Sequence, residues 1–132
     1  MIRRICFAAI ATVIFAVPAF AADDKCSAPI APAMPKDGKA ATAAEMSQAA
    51  KDAVAFIKDS DQYQLCLKAA LDDSEKQVKD LDPKHDKDGL QRKELLAAQK
   101  DLTAKADKSQ KEKETVGKAY NTAAAAYKSA HR

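Results

Sequence analysis

The sequence predicts an all-α fold: an antiparallel two-helix hairpin, over about 43–81 and 89–130, with an extended proline-rich strap at its N-terminus. Three observations predict it. Apolar residues recur at three- and four-residue steps through two long segments, as one face of a helix requires. Asp82-Pro83 divides these segments, because the residue before a proline is pushed out of the α region. Beyond residue 21 there is no alternating run of β-branched residues, so nothing reads as a strand.

At the N-terminus, Arg3 and Arg4 precede an uncharged run from Ile5 to Phe20, and Ala19-Phe20-Ala21 places small residues at −3 and −1. Residues 1–21 are therefore expected to be a cleavable signal peptide, cut between Ala21 and Ala22. The apolar run falls short of the ~18–20 residues of a spanning helix, which argues against a retained anchor. Cys26 follows Asp23-Asp24-Lys25 and so lacks the small apolar residues that precede a lipidated cysteine. The expected location is periplasmic or secreted, with no stable membrane insertion after cleavage.

Cleavage changes the composition. It removes two of the 22 basic residues and leaves the rest nearly balanced by 19 acidic ones. Nucleic-acid binding needs a clustered positive footprint, and none is expected here. Phe7, Phe15 and Phe20 also leave, so the remaining aromatics are Phe56, Tyr63, Tyr120 and Tyr127. That fits one small domain with a thin core. Cys6 goes with the signal, and Cys26 and Cys66 remain to form one disulfide in an oxidising compartment. Such a bond would close a loop of about 40 residues, worth roughly 4 kcal/mol in the chain-entropy picture. Two free or intermolecular thiols are the alternative.

Residues 22–41 form the expected strap. Cys26, Pro29, Pro32 and Pro35 recur every third residue, and polyproline II has three residues per turn, so they would share one edge. A disordered proline-containing tail is the alternative. Asp37-Gly38 is a turn signal. The hairpin domain, 42–132, opens with Thr42-Ala43-Ala44-Glu45 in capping-box form. Met46, Ala50, Ala53, Ile57, Leu67, Leu71, Val78 and Leu81 then mark one helix face, with Phe56 and Tyr63 beside it. Ser60, Asp61 and Gln64 interrupt this stripe and predict a bend.

For the second helix, Asp88 is the expected cap, with Gln91 at N3. Leu95, Leu102, Val116 and Ala123 follow in seven-residue phase, a phase that Ser109 shares and weakens. Acid-before-base pairs such as Asp101–Lys105 suit solvated faces. Gly117 costs about 1 kcal/mol relative to alanine and marks either a close contact or a weak point. Pairing the helices through the turn sets 103–115 opposite 55–67. Residues 103–115 hold no apolar side chain larger than alanine, whereas 55–67 hold Phe56, Ile57, Tyr63, Leu65 and Leu67. If Cys26 joins Cys66, the strap runs back along the first helix and covers this gap. Its residues Pro29, Pro32 and Pro35 would then lie near residues 60, 54 and 48.

Catalytic chemistry has little support. His85 and His131 are the two histidines, and no nucleophile elbow, zinc helix or phosphate loop occurs. Asp80, Asp82, His85, Asp86 and Asp88 crowd the turn at 80–88. With Gly89 at the sixth position of a calcium loop, Lys84 and Leu95 occupy the first and twelfth, where carboxylates are needed. A solvated turn with capping aspartates is favoured, and no metal or cofactor is expected.

The pattern Cys26-x-x-Pro29-x-x-Pro32-x-x-Pro35-x-x-Gly38, then Thr42-x-x-Glu45-Met46, then Tyr63-x-x-Cys66-Leu67, resembles small exported proteins of proteobacteria. The resemblance covers residues 26–67. It implies an envelope location and the Cys26–Cys66 pairing, and it carries no activity to transfer.

The expected function is that of a non-enzymatic exported helical protein acting through protein contact, with a partner or with itself. The candidate surfaces are the face at Phe56, Ile57 and Tyr63 and the end bearing Tyr120 and Tyr127. Two other readings stand beside it: an envelope-associated coiled-coil or chaperone-like protein, and a small metal- or ligand-binding protein using the acidic turn.

Overall fold

The computed structural model describes residues 26–132; the expected signal peptide and residues 22–25 of the strap lie outside them. Two helices, α1 (Ala43–Asp80) and α2 (Leu90–Ala130), pack against each other as a hairpin, and the described residues contain no strand.

The start of α1 follows from its capping box. The Glu45 backbone N–H donates to the Thr42 hydroxyl at 3.2 Å. The Thr42 backbone N–H and hydroxyl donate back to the Glu45 carboxylate at 2.7 and 2.9 Å. These bonds favour the ionised form, and the Thr42 backbone N–H, ahead of its hydroxyl, holds the Glu45 carboxyl below its ordinary range. The helix then runs 38 residues without a break. The interruption of the apolar stripe at Ser60–Gln64 does not break the helix, and Ser60 is buried as a small core residue.

After Leu81, which is extended, the Asp82 carbonyl accepts from the His85 and Asp86 backbone N–H groups at 3.0 and 3.1 Å. The start of α2 departs from expectation. Gly89, not Asp88, is its N-cap, at φ 68°, a left-handed backbone natural to glycine. The Asp86 carboxylate reaches across this turn and accepts from the Gln91 and Arg92 backbone N–H groups at 3.0 and 3.2 Å. It thereby supplies the negative charge that a helix N-terminus attracts.

The helices meet in a seven-residue register. In α1, Met46, Ala53, Ser60, Leu67 and Ser74 are buried at that interval, with Ala49, Phe56 and Tyr63 three positions after the first three. In α2 the buried line is Leu95, Leu102, Ser109, Val116 and Ala123. Met46 clusters with Ala123, Ala53 with Val116, and Leu67 with Leu102. The same steps set Ser60 opposite Ser109 and Ser74 opposite Leu95. The sequence stripe is therefore shifted: Ala50, Ile57, Leu71 and Val78 are half-buried flank residues. Apolar size misleads at these positions, because serines hold two places in the true core line.

Cys26 and Cys66 are joined by a disulfide, their Cα atoms 5.7 Å apart. From there the strap is buried at every third residue: Cys26, Pro29, Pro32 and Pro35 partly, Gly38 and Ala41 fully. It lies over the groove between the helices, not along α1 alone. Met34 packs against Ala53, Phe56 and Val116, and Ala41 joins Met46 and Ala123. A Cβ on Gly38 would stand 2.0 Å from the Ala123 carbonyl oxygen, so only glycine lets the strap come this close. Only in this groove can one strap bury apolar groups against both helices at once.

Candidate interaction surface

On a helix, positions three and four residues beyond a core position fall on opposite flanks of it. In α1, Ala49, Phe56 and Tyr63 lie on one flank and Ala50, Ile57 and Gln64 on the other. In α2, Ala119 and Ala126 lie on one flank and Lys113, Tyr120 and Tyr127 on the other. The strap occupies the first flank, where residues 33–37 run beside Gln48, Ala49 and Asp52 of α1. On its α2 side, Met34 and Gly38 run beside Thr115, Ala119 and Thr122.

This placement divides the expected surface. Phe56 and Tyr63 are not available for contact: they are 4 % and 8 % exposed. The reason is the strap, which presses Met34 onto the Phe56 cluster and Cys26 onto the Tyr63 cluster. Ile57, Tyr120 and Tyr127 lie on the other flank and are half-buried. Strap residues 33–38 run along the first flank. Tyr120 and Tyr127 pack their inner edges against the Met46–Ala123 cluster, and the Tyr127 ring stacks on His131 with centroids 4.3 Å apart.

The centre of this open flank is polar. The Lys113 ammonium contacts the Asp61 carboxylate and donates to the Gln64 side-chain oxygen at 3.4 Å. The Gln64 amide donates to the Gln110 side-chain oxygen, also at 3.4 Å. These bonds tie α1 to α2 at the level of the Ser60–Ser109 layer. On either side the flank is apolar, with Ile57 and Tyr120 towards the chain ends and Leu71 and Ala106 towards the turn.

Two large apolar residues that sequence reasoning did not single out rim this flank: Val54 is 68 % exposed and Leu96 50 %. Leu65, 60 % exposed, lies further round on the outer side of α1. Val54 and Leu96 each follow a core position by one residue. That signal exists in the sequence, but it becomes readable only once the register is known. Among the described residues, Ile30 on the strap and Leu90 at the start of α2 are also large, apolar and exposed.

The acidic turn uses its carboxylates locally. Asp82 accepts from the Lys84 backbone N–H and contacts the His85 ring, each at 2.9 Å, and Asp86 caps α2. Among the described residues, no group of three or more His, Cys, Asp or Glu side chains is arranged to hold a metal ion. Also among the described residues, no helix is long and apolar enough to cross a membrane.

Comparison with family models, curated proteins and solved structures finds no match to this chain.

Proposed function

We propose that this is an exported, non-enzymatic helical protein that works by protein contact through the flank of the hairpin opposite the strap. One observation carries the reading. The chain seats a disulfide-anchored strap on one flank of the hairpin and leaves apolar residues on either side of a polar centre on the other, with Val54 68 % and Leu96 50 % exposed at its rim. Large apolar side chains left in water beside a groove support an interaction site there. The Arg3-Arg4 start, the uncharged run and Ala19-Phe20-Ala21 support export, as does a disulfide whose persistence needs an oxidising compartment. With Asp82 and Asp86 bonded within the turn, the contact reading is better supported than a metal-binding one.

Site-specific photocrosslinking in cells tests the proposal. A photoreactive residue at Val54 is expected to give discrete adducts in the envelope fraction. The same probe at Lys111, exposed on the outer face of α2, is expected to give none. Equal adducts from both positions, or none from either, would overturn the reading.

A further inference from the structure

We infer that the strap is a thiol-released cover: a dithiol that reduces Cys26–Cys66 frees residues 26–37 from the first flank while the two helices stay paired. The device belongs to the covered flank and stands apart from the contact proposed for the open one.

The strap is held unevenly along its length. Gly38 and Ala41 are buried between the helices and hold its C-terminal end. None of residues 26–37 is fully buried. Among the described residues, no hydrogen bond joins 27–38 to either helix. Met34 packs against Ala53, Phe56 and Val116, whereas Ile30 is 93 % exposed. Burying one methionine offsets the ordering of about two residues, and each half-buried proline edge about one. Met34, Pro29, Pro32 and Pro35 therefore balance less than half of the chain entropy lost over 26–37. The covalent bond at Cys26 supplies what is missing. The contacts that pair the helices do not pass through this segment. Met46 packs with Ala123, Ala53 with Val116 and Leu67 with Leu102, each directly between α1 and α2.

Cys26 and Cys66 are half-buried rather than enclosed, and thiol exchange requires such access. One thiolate of the donor dithiol attacks one sulfur of the bond and forms a mixed disulfide, and the displaced cysteine thiolate takes up a proton. The donor's second thiolate then displaces the other cysteine, which is protonated in turn. Two electrons and two protons pass to Cys26 and Cys66, and the donor leaves as a disulfide. Release of the strap bares Phe56 and Tyr63, two of the four aromatics beyond residue 21. Reduction thus turns a closed flank into an open apolar one.

NMR of the protein produced from the full-length sequence, with carbon-13 at the methionine methyls, tests this. Beyond residue 21 the methionines are Met34 and Met46, so one signal reports the strap and the other the helix pair. In the oxidised protein the Met34 methyl is expected to show a nuclear Overhauser contact with the Phe56 ring, and the Met46 methyl one with Ala123. With excess dithiothreitol, the Met34 contact is expected to vanish and its signal to move to the position of a free methionine. The Met46 contact and the helical circular dichroism are expected to stay. Reoxidation should restore the first pattern, and Cys26→Ser with Cys66→Ser should give the reduced pattern without reductant. A Met34–Phe56 contact that survives reduction overturns the inference. So does simultaneous loss of the Met46 contact, which would mean that the staple holds the helices themselves. A bond that dithiothreitol opens only in urea overturns it as well.

Discussion

Ser60, Ser74 and Ser109 stand in the core lines, and none of their buried hydroxyls has a hydrogen-bond partner among the described residues. A hydroxyl buried without a partner costs about 1–3 kcal/mol. Alanine fills nearly the same volume and is the better helix former by some tenths of a kcal/mol. Ser60→Ala is therefore expected to stabilise the protein by about 1–2 kcal/mol, measured by urea unfolding. A loss of stability would show that the hydroxyl is satisfied. These serines also explain a feature that the sequence makes look like a defect. The middle of the hairpin lacks large apolar groups because Ser60 meets Ser109 there, and the Asp61–Lys113 and Gln64–Gln110 contacts flank that layer.

The elements differ in how closely they approach one another, and two glycines report it. At Gly38 the strap touches the backbone of Ala123, so an added methyl must push the strap off α2. Gly38→Ala is expected to cost about 1–3 kcal/mol, the range for overpacking. At Gly117 an added Cβ would meet nothing within 4 Å. Gly117 is thus a weak point of α2 and not a close contact within the chain. Gly117→Ala is expected to gain nearly 1 kcal/mol from helix propensity. Thermal unfolding of the two variants side by side gives opposite shifts if the strap sits as described. Much of this level was legible beforehand. The capping box at Thr42–Glu45, the stop near Asp82-Pro83 and the seven-residue line from Leu95 to Ala123 all rest on local chemistry that a sequence displays. The start of α2 was not legible, because Asp86 caps it from outside the usual spacing once Gly89 turns the chain.

For the whole molecule, the disulfide and the strap act together. Cys26–Cys66 closes a separation of 40 residues. It fixes one end of the strap, while Gly38 and Ala41 seat the other between the helices. Replacing both cysteines by serine is expected to cost about 4 kcal/mol by the loop-entropy estimate, read as a lower urea midpoint. Reductant should lower the midpoint of the native protein similarly and leave the double variant unchanged. Loss of the strap should also bare Phe56 and Tyr63, which would add dye-binding apolar surface. If the midpoint does not move, the helices hold without the staple.

The candidate surface shows how far sequence reasoning reaches. Five residues were named from it, and the structure keeps Ile57, Tyr120 and Tyr127 while burying Phe56 and Tyr63. Phe56 and Ile57 are neighbours in the chain with similar hydropathy, and nothing local distinguishes their fates. They point to opposite flanks of α1, and only one flank receives the strap. By itself the sequence determined the two helices, their caps and ends at α1, the hairpin order and the pair of cysteines, because each depends on residues within a few positions or on a simple count. The tertiary structure alone decided which groove the strap fills, and hence which apolar face stays open. That choice depends on Met34, Gly38 and Ala41 fitting between two helices whose register brings Ala53 to Val116 and Met46 to Ala123, groups more than sixty residues apart in the chain.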